Sequence, residues 1–253
     1  IFGLNYLHQN FSMEEHLDFL NRRFDDVDGD VTAYLEDKGN EGLFFRCMTG
    51  VSNGKEVQYS ISKYNFASPV RLNLILMNRD WEIIYTSFGE EAMNLHRTEF
   101  NKIVADNALK AETSIYSTVY YFSGDRSECV YARPLYHGGE LVGTVTAYLN
   151  GNDWGKLFSE YQYDCIITNL DGAIIYYTKN AFLPERNTNK YKADPARRFV
   201  MVQDNRYRVG TRILADKNVI LYSLVYSPRN ALYIMIGVLT IILLGGIWLV
   251  MFK

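Results

Sequence analysis

Arg133 is where this sequence comes nearest to a binding chemistry. It follows Tyr131 in a stretch whose alternate residues, Val130 and Ala132, are apolar, so Arg133 and Tyr131 fall on one face of a strand. Tyr116, Thr118 and Tyr120 likewise share a face of the preceding strand. A guanidinium among aromatic walls can hold a carboxylate or phosphate through two parallel hydrogen bonds. On a concave face these residues line an anion pocket. On an outer face Arg133 is a solvated residue ahead of Pro134.

Catalytic and metal chemistry find less footing. His8, His16, His96 and His137 are scattered, with no HExxH or CxxC pattern to join them into a zinc site. There is no GxSxG elbow, Walker A loop or GxGxxG turn. No catalytic residue, metal or cofactor is expected. Asp25, Asp26, Asp28 and Asp30 imitate a calcium loop, but the required glycine position holds Val31, so a solvated helix face is the better reading. Cys47, Cys129 and Cys165 are odd in number and leave two possibilities open, one bridge or three buried thiols. A net charge of −3 argues against a nucleic-acid partner.

These side chains must be positioned by a folded region of about 230 residues that ends at an apolar stretch. Ala231 to Phe252 carries no charge over 22 residues, flanked by Arg229 and Lys253. At about 1.5 Å per residue it makes about 33 Å of helix, enough for a ~30 Å hydrocarbon core. A transmembrane helix over 231–252 is therefore expected. The first residues, IFGLNYL, are too short to span a membrane and fit the outer end of an earlier span, a signal remnant or the start of a helix, with the first reading preferred. Ser227-Pro228-Arg229-Asn230 is the whole link to the apolar stretch, and Lys179 to Arg198 is a basic segment read as a solvated loop.

Ser12 and Glu15 fit a capping box, followed by Leu17, Leu20, Phe24, Val27, Val31 and Tyr34 at helical spacing. A long helix over about 12–37 is expected, ended by Gly39 to Gly42, with more helix within 43–66. After Pro69 the period becomes two. Strands are expected at 72–76, 82–87, 114–123, 129–136 and 141–149, with a helix at 99–112 and a hairpin turn at His137 to Glu140. The pattern then repeats. Leu74 to Ser87 aligns with Cys165 to Thr178 at an offset of 91, matching Asn78 with Asn169, Asp80 with Asp171 and Tyr85 with Tyr176. Similar hairpins close both units, at Leu141 to Tyr148 and Val219 to Tyr226.

In this order of elements the chain resembles the extracytoplasmic double-Cache sensors of bacterial membrane receptors. The resemblance implies an α+β fold: a long N-terminal helix, two tandem PAS-like antiparallel-sheet units and a C-terminal transmembrane helix. It divides the chain into a helical region, 1–68, a membrane-distal unit, 69–155, a membrane-proximal unit, 156–228, and the span, 231–252. It implies a small-molecule or short-peptide ligand in the distal unit, a homodimer with the Leu17–Tyr34 stripe as candidate contact, and a globular part outside the bacterial cell membrane. Amino-acid-binding members carry an aspartate near the end of the last distal strand. Tyr148 stands there in this sequence, so it joins Arg133, Tyr131, Tyr116 and Tyr120 as a candidate ligand residue while weakening the case for an α-amino acid. The implied output is a histidine kinase of a two-component system, with a diguanylate cyclase or chemoreceptor next. A membrane-anchored protein-interaction module with a filled distal interior is the alternative.

Overall fold

The computed structural model describes residues 2–120, 128–149, 153–158, 163–178, 191, 199–202, 205–227 and 236–244. Helices α1 (Phe2–Glu36), α2 (Lys38–Met48) and α3 (Lys55–Ala67) come first. Then follow β1 (Leu72–Asn78), β2 (Ile83–Thr86), α4 (Leu95–Lys110), β3 (Tyr116–Tyr120), β4 (Glu128–His137) and β5 (Glu140–Leu149). A single helical turn, α5 (Gly155–Phe158), leads to β6 (Asp164–Asn169), β7 (Ile174–Tyr177), β8 (Phe199–Val202), β9 (Asn205–Leu214) and β10 (Val219–Tyr226). The strands form two antiparallel five-stranded sheets, ordered β2-β1-β5-β4-β3 and β7-β6-β10-β9-β8.

The 91-residue offset persists in the backbone. β1 bulges between Leu76 and Met77, and β6 bulges between Ile167 and Thr168. The Asn78 amide donates to Glu82 O, as the Asn169 amide donates to Ala173 O, each at 2.9 Å. Trp81 (φ 65°) and Gly172 (φ 84°) occupy the same left-handed turn position. Ser87 Oγ accepts from Leu74 N at 2.8 Å, and Thr178 Oγ1 from Cys165 N at 3.0 Å. Local turn chemistry thus builds both sheet edges alike.

Helix α1 begins at Phe2, so Ser12 lies inside it and the capping-box reading is corrected. No proline separates the opening residues from the stripe. Propagation adds a hydrogen bond per residue and overrides a local cap. Gly39 and Gly42 lie within α2 instead of merely ending the previous helix, because Asp37 caps α2 by accepting from Asn40 N at 2.9 Å. The helix expected within 43–66 is broken between α2 and α3, where Gly50 and Gly54 take φ of 75° and 78°.

The α1 stripe packs on both sheets. Leu17 to Tyr34 join Leu72, Leu74, Leu76, Tyr131 and Ala147 of the first sheet and Ile167, Ile175 and Leu221 of the second in one core. Of the two packings open to the stripe, its own sheets or a second copy, the fold uses the first: its apolar face is covered by its own chain. Charge follows the same seam. Arg212 on β9 pairs with Glu14 at 3.2 Å and Asp18 at 2.5 Å. Lys217 pairs with Asp25, and with Asp28 at 3.3 Å. Asp25 and Asp28 therefore face a cation instead of solvent alone. The three cysteines are buried free thiols.

Gly143 shows how tightly the first sheet meets α2. A Cβ there would stand 2.2 Å from Met77 O and 2.8 Å from Met48 Sδ. Backbone cannot yield cheaply, so Gly143→Ala is expected to cost about 2–3 kcal/mol. The check is a lower urea midpoint at unchanged denaturant slope. A midpoint equal to the wild type overturns it.

Residues 236–244 are helical, with Ile236, Val238, Leu239 and Ile241 to Leu244 all between 51% and 70% exposed. Among the described residues no helix is long and apolar enough to cross a membrane. The rest of 231–252, residues 228–230 of the link, and Lys179–Arg198 apart from Tyr191 lie outside the described residues.

Candidate functional site

Strand register sorts the five expected site residues into two groups. Tyr116 sits opposite Ala132, and Ser117 opposite Tyr131. Arg133 sits opposite Val145, and Ala132 opposite Thr146. Side chains alternate along a strand. Tyr131 and Arg133 therefore face α1 and α2, while Tyr116 and Tyr148 face α4. Arg133 and Tyr131 thus do not share a pocket with Tyr116 and Tyr148, because Tyr116 pairs with Ala132 and Tyr148 with Val130. The side chain of Tyr120 lies outside the described residues.

On the α1 face, Arg133 is already engaged. It donates to Leu35 O at 2.6 Å, a carbonyl at the C-terminal end of α1, and to Glu41 Oε2 at 3.2 Å. A cation there meets the negative end of the helix dipole. Burial opposes the charge on Glu41, but Lys38 and Arg133 outweigh it and hold that carboxyl below its usual range. Tyr131 is enclosed in the main core, and burial pushes its hydroxyl well up, with Cys129 and Asp28 adding to the effect.

The α4 face holds a polar cluster that sequence reasoning missed. Asn94 caps α4 by accepting from Arg97 N at 2.8 Å. Arg97, Asn101, Val104 and Ala108 then recur at helical spacing and are all buried. The Arg97 guanidinium lies 4.2 Å from the Phe88 ring centre and 5.6 Å from that of Tyr148. It donates to Ala92 O at 2.8 Å and to Glu128 Oε2 at 3.0 Å. Asn101, fully buried, accepts from Tyr148 Oη at 3.2 Å and donates to Met77 Sδ at 3.7 Å. Thr146 Oγ1, also buried, has no hydrogen-bond partner among the described residues. Ile75, Val130, Ala132, Phe100 and Tyr116 supply the apolar surround.

This arrangement can hold an anion. Arg97 presents a planar fork of donors beside the edge-to-face pair of Phe88 and Tyr148, in a site from which water is largely excluded. Its resident counter-ion, Glu128, opens β4 and is the less buried partner, with 15% side-chain exposure against 6%. The signal for Arg97 was available: a cap at Asn94 places it in the first turn of α4. Starting the helix at Glu99 left it out.

No protein-family model matches the sequence, and a search of curated proteins finds no relative. Solved structures do match. The sensor domain of the Vibrio cholerae histidine kinase DctB aligns at 14% identity over 85% of this chain and 97% of that one, with a TM-score of 0.55. The ligand-binding domain of the Campylobacter jejuni chemoreceptor Tlp3 in complex with L-valine aligns at 12% identity, over 87% and 93%, with a TM-score of 0.53. Its sensory domain with isoleucine bound aligns at 12%, over 89% and 96%, with a TM-score of 0.54. The fold is thus that of Cache sensor domains: a long helix and two antiparallel five-stranded sheets.

Proposed function

We propose that this chain is the extracytoplasmic sensing region of a bacterial membrane receptor, with its ligand on the α4 face of the first sheet. The observation that carries the reading is the buried Arg97 guanidinium, which lies over Phe88, near Tyr148, and is paired with Glu128. The ligand is a small molecule or short peptide with a carboxylate, which takes the place of Glu128 on Arg97. Tyr148, Asn101 and Tyr116 are its other neighbours. Arg133 and Tyr131 serve the α1 contact instead.

The domain division is part of the proposal: a helical region 1–68, a distal unit 69–155, a proximal unit 156–228 and a membrane helix 231–252. Displacement of β4 or α4 is felt by α1, which shares its core with both sheets. It reaches β10, whose last residue, Tyr226, stands five residues before Ala231. A ligand shifts such a balance only by its difference in affinity for the two arrangements. A homodimer is proposed as the working unit. A histidine kinase is the favoured output, with a chemoreceptor or diguanylate cyclase as alternatives. The DctB and Tlp3 likenesses are compatible with the first two.

The test is thermal unfolding of the full chain in detergent against a panel of amino acids, short peptides and small carboxylates. A ligand at about a hundred times its Kd is expected to raise Tm by about 5–10 °C. Arg97→Gln should abolish that shift and Arg133→Ala should keep it. A shift retained in full by Arg97→Gln, or a panel that moves nothing, overturns the site.

A second reading, a membrane-anchored protein-interaction module, draws on the outer helix surfaces. Phe66 and Tyr59 on α3 are 93% and 75% exposed, and Leu95 and Ile103 on α4 are also exposed. It predicts capture of a protein partner that is lost on Phe66→Ser and indifferent to Arg97→Gln.

A further inference from the structure

A second recess lies on the opposite side of the first sheet from α4. The end of α1, the first turns of α2 and one face of α3 enclose a groove of about 590 Å³. Its lining includes Tyr34, Asp37, Asn40, Tyr59, Ser60 and Lys63, with Tyr64 and Leu43 beside them. None of these residues belongs to the Arg97 cluster.

The floor of the groove is polar, and apart from Tyr64 Oη, buried with no hydrogen-bond partner among the described residues, its groups pair with one another. Tyr34 Oη and Ser60 Oγ lie 3.1 Å apart, and Ser60 Oγ donates to Asn40 Oδ1 at 2.7 Å. Asn40 Nδ2 donates to Tyr34 O at 3.0 Å. These groups hold one another, so they have little left to offer a hydrogen-bonding ligand. Three phenol rings and two charges remain. Tyr34 and Tyr64 lie with ring centres 4.9 Å apart and tilted at 57°, and Tyr59 stands at the rim, largely exposed. Burial, above all, pushes the Tyr34 hydroxyl up to about 12, so the ring stays neutral. Asp37 lines the groove together with Tyr34. Asp37 and Lys63 form no ion pair among the described residues.

We infer that this groove binds a small zwitterion bearing a quaternary ammonium and a carboxylate, a carboxybetaine. The methylated cation lies against the tyrosine faces near Asp37, and the carboxylate turns to Lys63. Aromatic faces attract cations, and a quaternary ammonium has no N–H to satisfy. An ordinary α-ammonium carries three donors and needs acceptors. Asp37 is the one carboxylate among the groove's described lining residues, and one of its oxygens already accepts from Asn40 N, which leaves fewer acceptors than three donors require. A bare cation would be repelled by Lys63 and a bare anion by Asp37. The zwitterion meets both charges.

Isothermal titration of the full chain in detergent tests this with four probes: glycine betaine, tetramethylammonium, acetate and glycine. Glycine betaine is expected to bind saturably in the millimolar range or tighter, with glycine at least about tenfold weaker. Tyr59→Ala and Asp37→Asn should each weaken betaine about tenfold. Asparagine still caps a helix, so Asp37→Asn removes the charge and keeps α2. Lys63→Ala should weaken betaine but not tetramethylammonium. Arg97→Gln should leave betaine binding unchanged, which separates this groove from the α4 site. The inference is overturned if betaine does not bind, if tetramethylammonium or glycine binds as tightly, if Tyr59→Ala binds betaine like the wild type, or if Arg97→Gln abolishes it.

Discussion

Arg97→Met is expected to lower the melting temperature of the ligand-free protein by roughly 10 °C. The substitution removes the cation from a pair whose side chains are only 6% and 15% exposed. Glu128 then loses the guanidinium that lies 3.0 Å from its carboxylate. Breaking a buried pair from one side costs about 3–5 kcal/mol. Partial exposure of Glu128 brings this to about 2–4 kcal/mol, and each kcal/mol moves Tm by about 2–4 °C in a chain of this size. The lost donation to Ala92 O adds to the effect. Replacing both partners, as in Arg97→Met with Glu128→Leu, should recover most of the loss, because an apolar pair of similar volume needs no desolvation. Differential scanning fluorimetry on the four proteins of this cycle gives the coupling directly. If Arg97→Met melts within about 2 °C of the wild type, the ion pair does not hold α4 to the sheet. The same cycle bears on function. Energy stored in the Arg97–Glu128 contact is what an entering carboxylate must replace, so Glu128→Gln should bind such a ligand more tightly than the wild type.

Lowering the pH from 7 to 4 is expected to cost about 2–3 kcal/mol through His16 alone. This residue lies fully buried on α1, with Nδ1 2.8 Å from Ser223 Oγ on β10 and its ring against Phe19 and edge-on to Tyr163. Burial brings its pKa from 6.5 down to about 4. Between those values the unfolded chain takes up a proton that the folded chain refuses, so stability falls as pH falls through this window. Above about 6.5 both states are neutral at this group, and below about 4 both are charged, so the loss is confined to the interval. His16→Gln removes the titration. Carboxylates elsewhere also respond to acid, so the quantity to read is the wild-type stability minus that of His16→Gln at each pH, from urea unfolding. It should shrink by about 2–3 kcal/mol between pH 7 and pH 4. Parallel curves would show that the ring is charged in the fold. The contact joins the shared helix to the strand that precedes the apolar stretch, so acid is expected to loosen the second sheet from α1 at that point.

Repeat and strand order were legible from residues alone, for a local reason. Asn78 and Asn169 each organise their own turn through their side chains, accepting from Glu82 N at 2.9 Å and from Ala173 N at 2.7 Å. Turn chemistry of this kind depends on neighbours within a few positions. Alternation in 72–76 and in 141–149 likewise marks strands wherever they end up. Helix ends were less legible. Ser12 and Glu15 have the residues of a cap, but a cap forms only where the chain before it is not already helical. Asn94, the cap that does operate in the first unit, precedes no sharp apolar stripe and was passed over.

The sequence by itself determined the α+β class, two repeated sheet units, a long amphipathic helix and an uncharged terminal stretch, because period and turn chemistry are properties of short segments. Tertiary structure alone decided which residues meet. The α1 stripe covers its own two sheets, since periodicity marks an apolar face without naming what buries it. Arg133 holds the end of α1, and Arg97 holds the interior of the first sheet. Both are single arginines amid ordinary neighbours. What separates them is the face each serves: alternation along β4 turns Arg133 toward α1, and Arg97 lies on α4, which covers the opposite face of the same sheet.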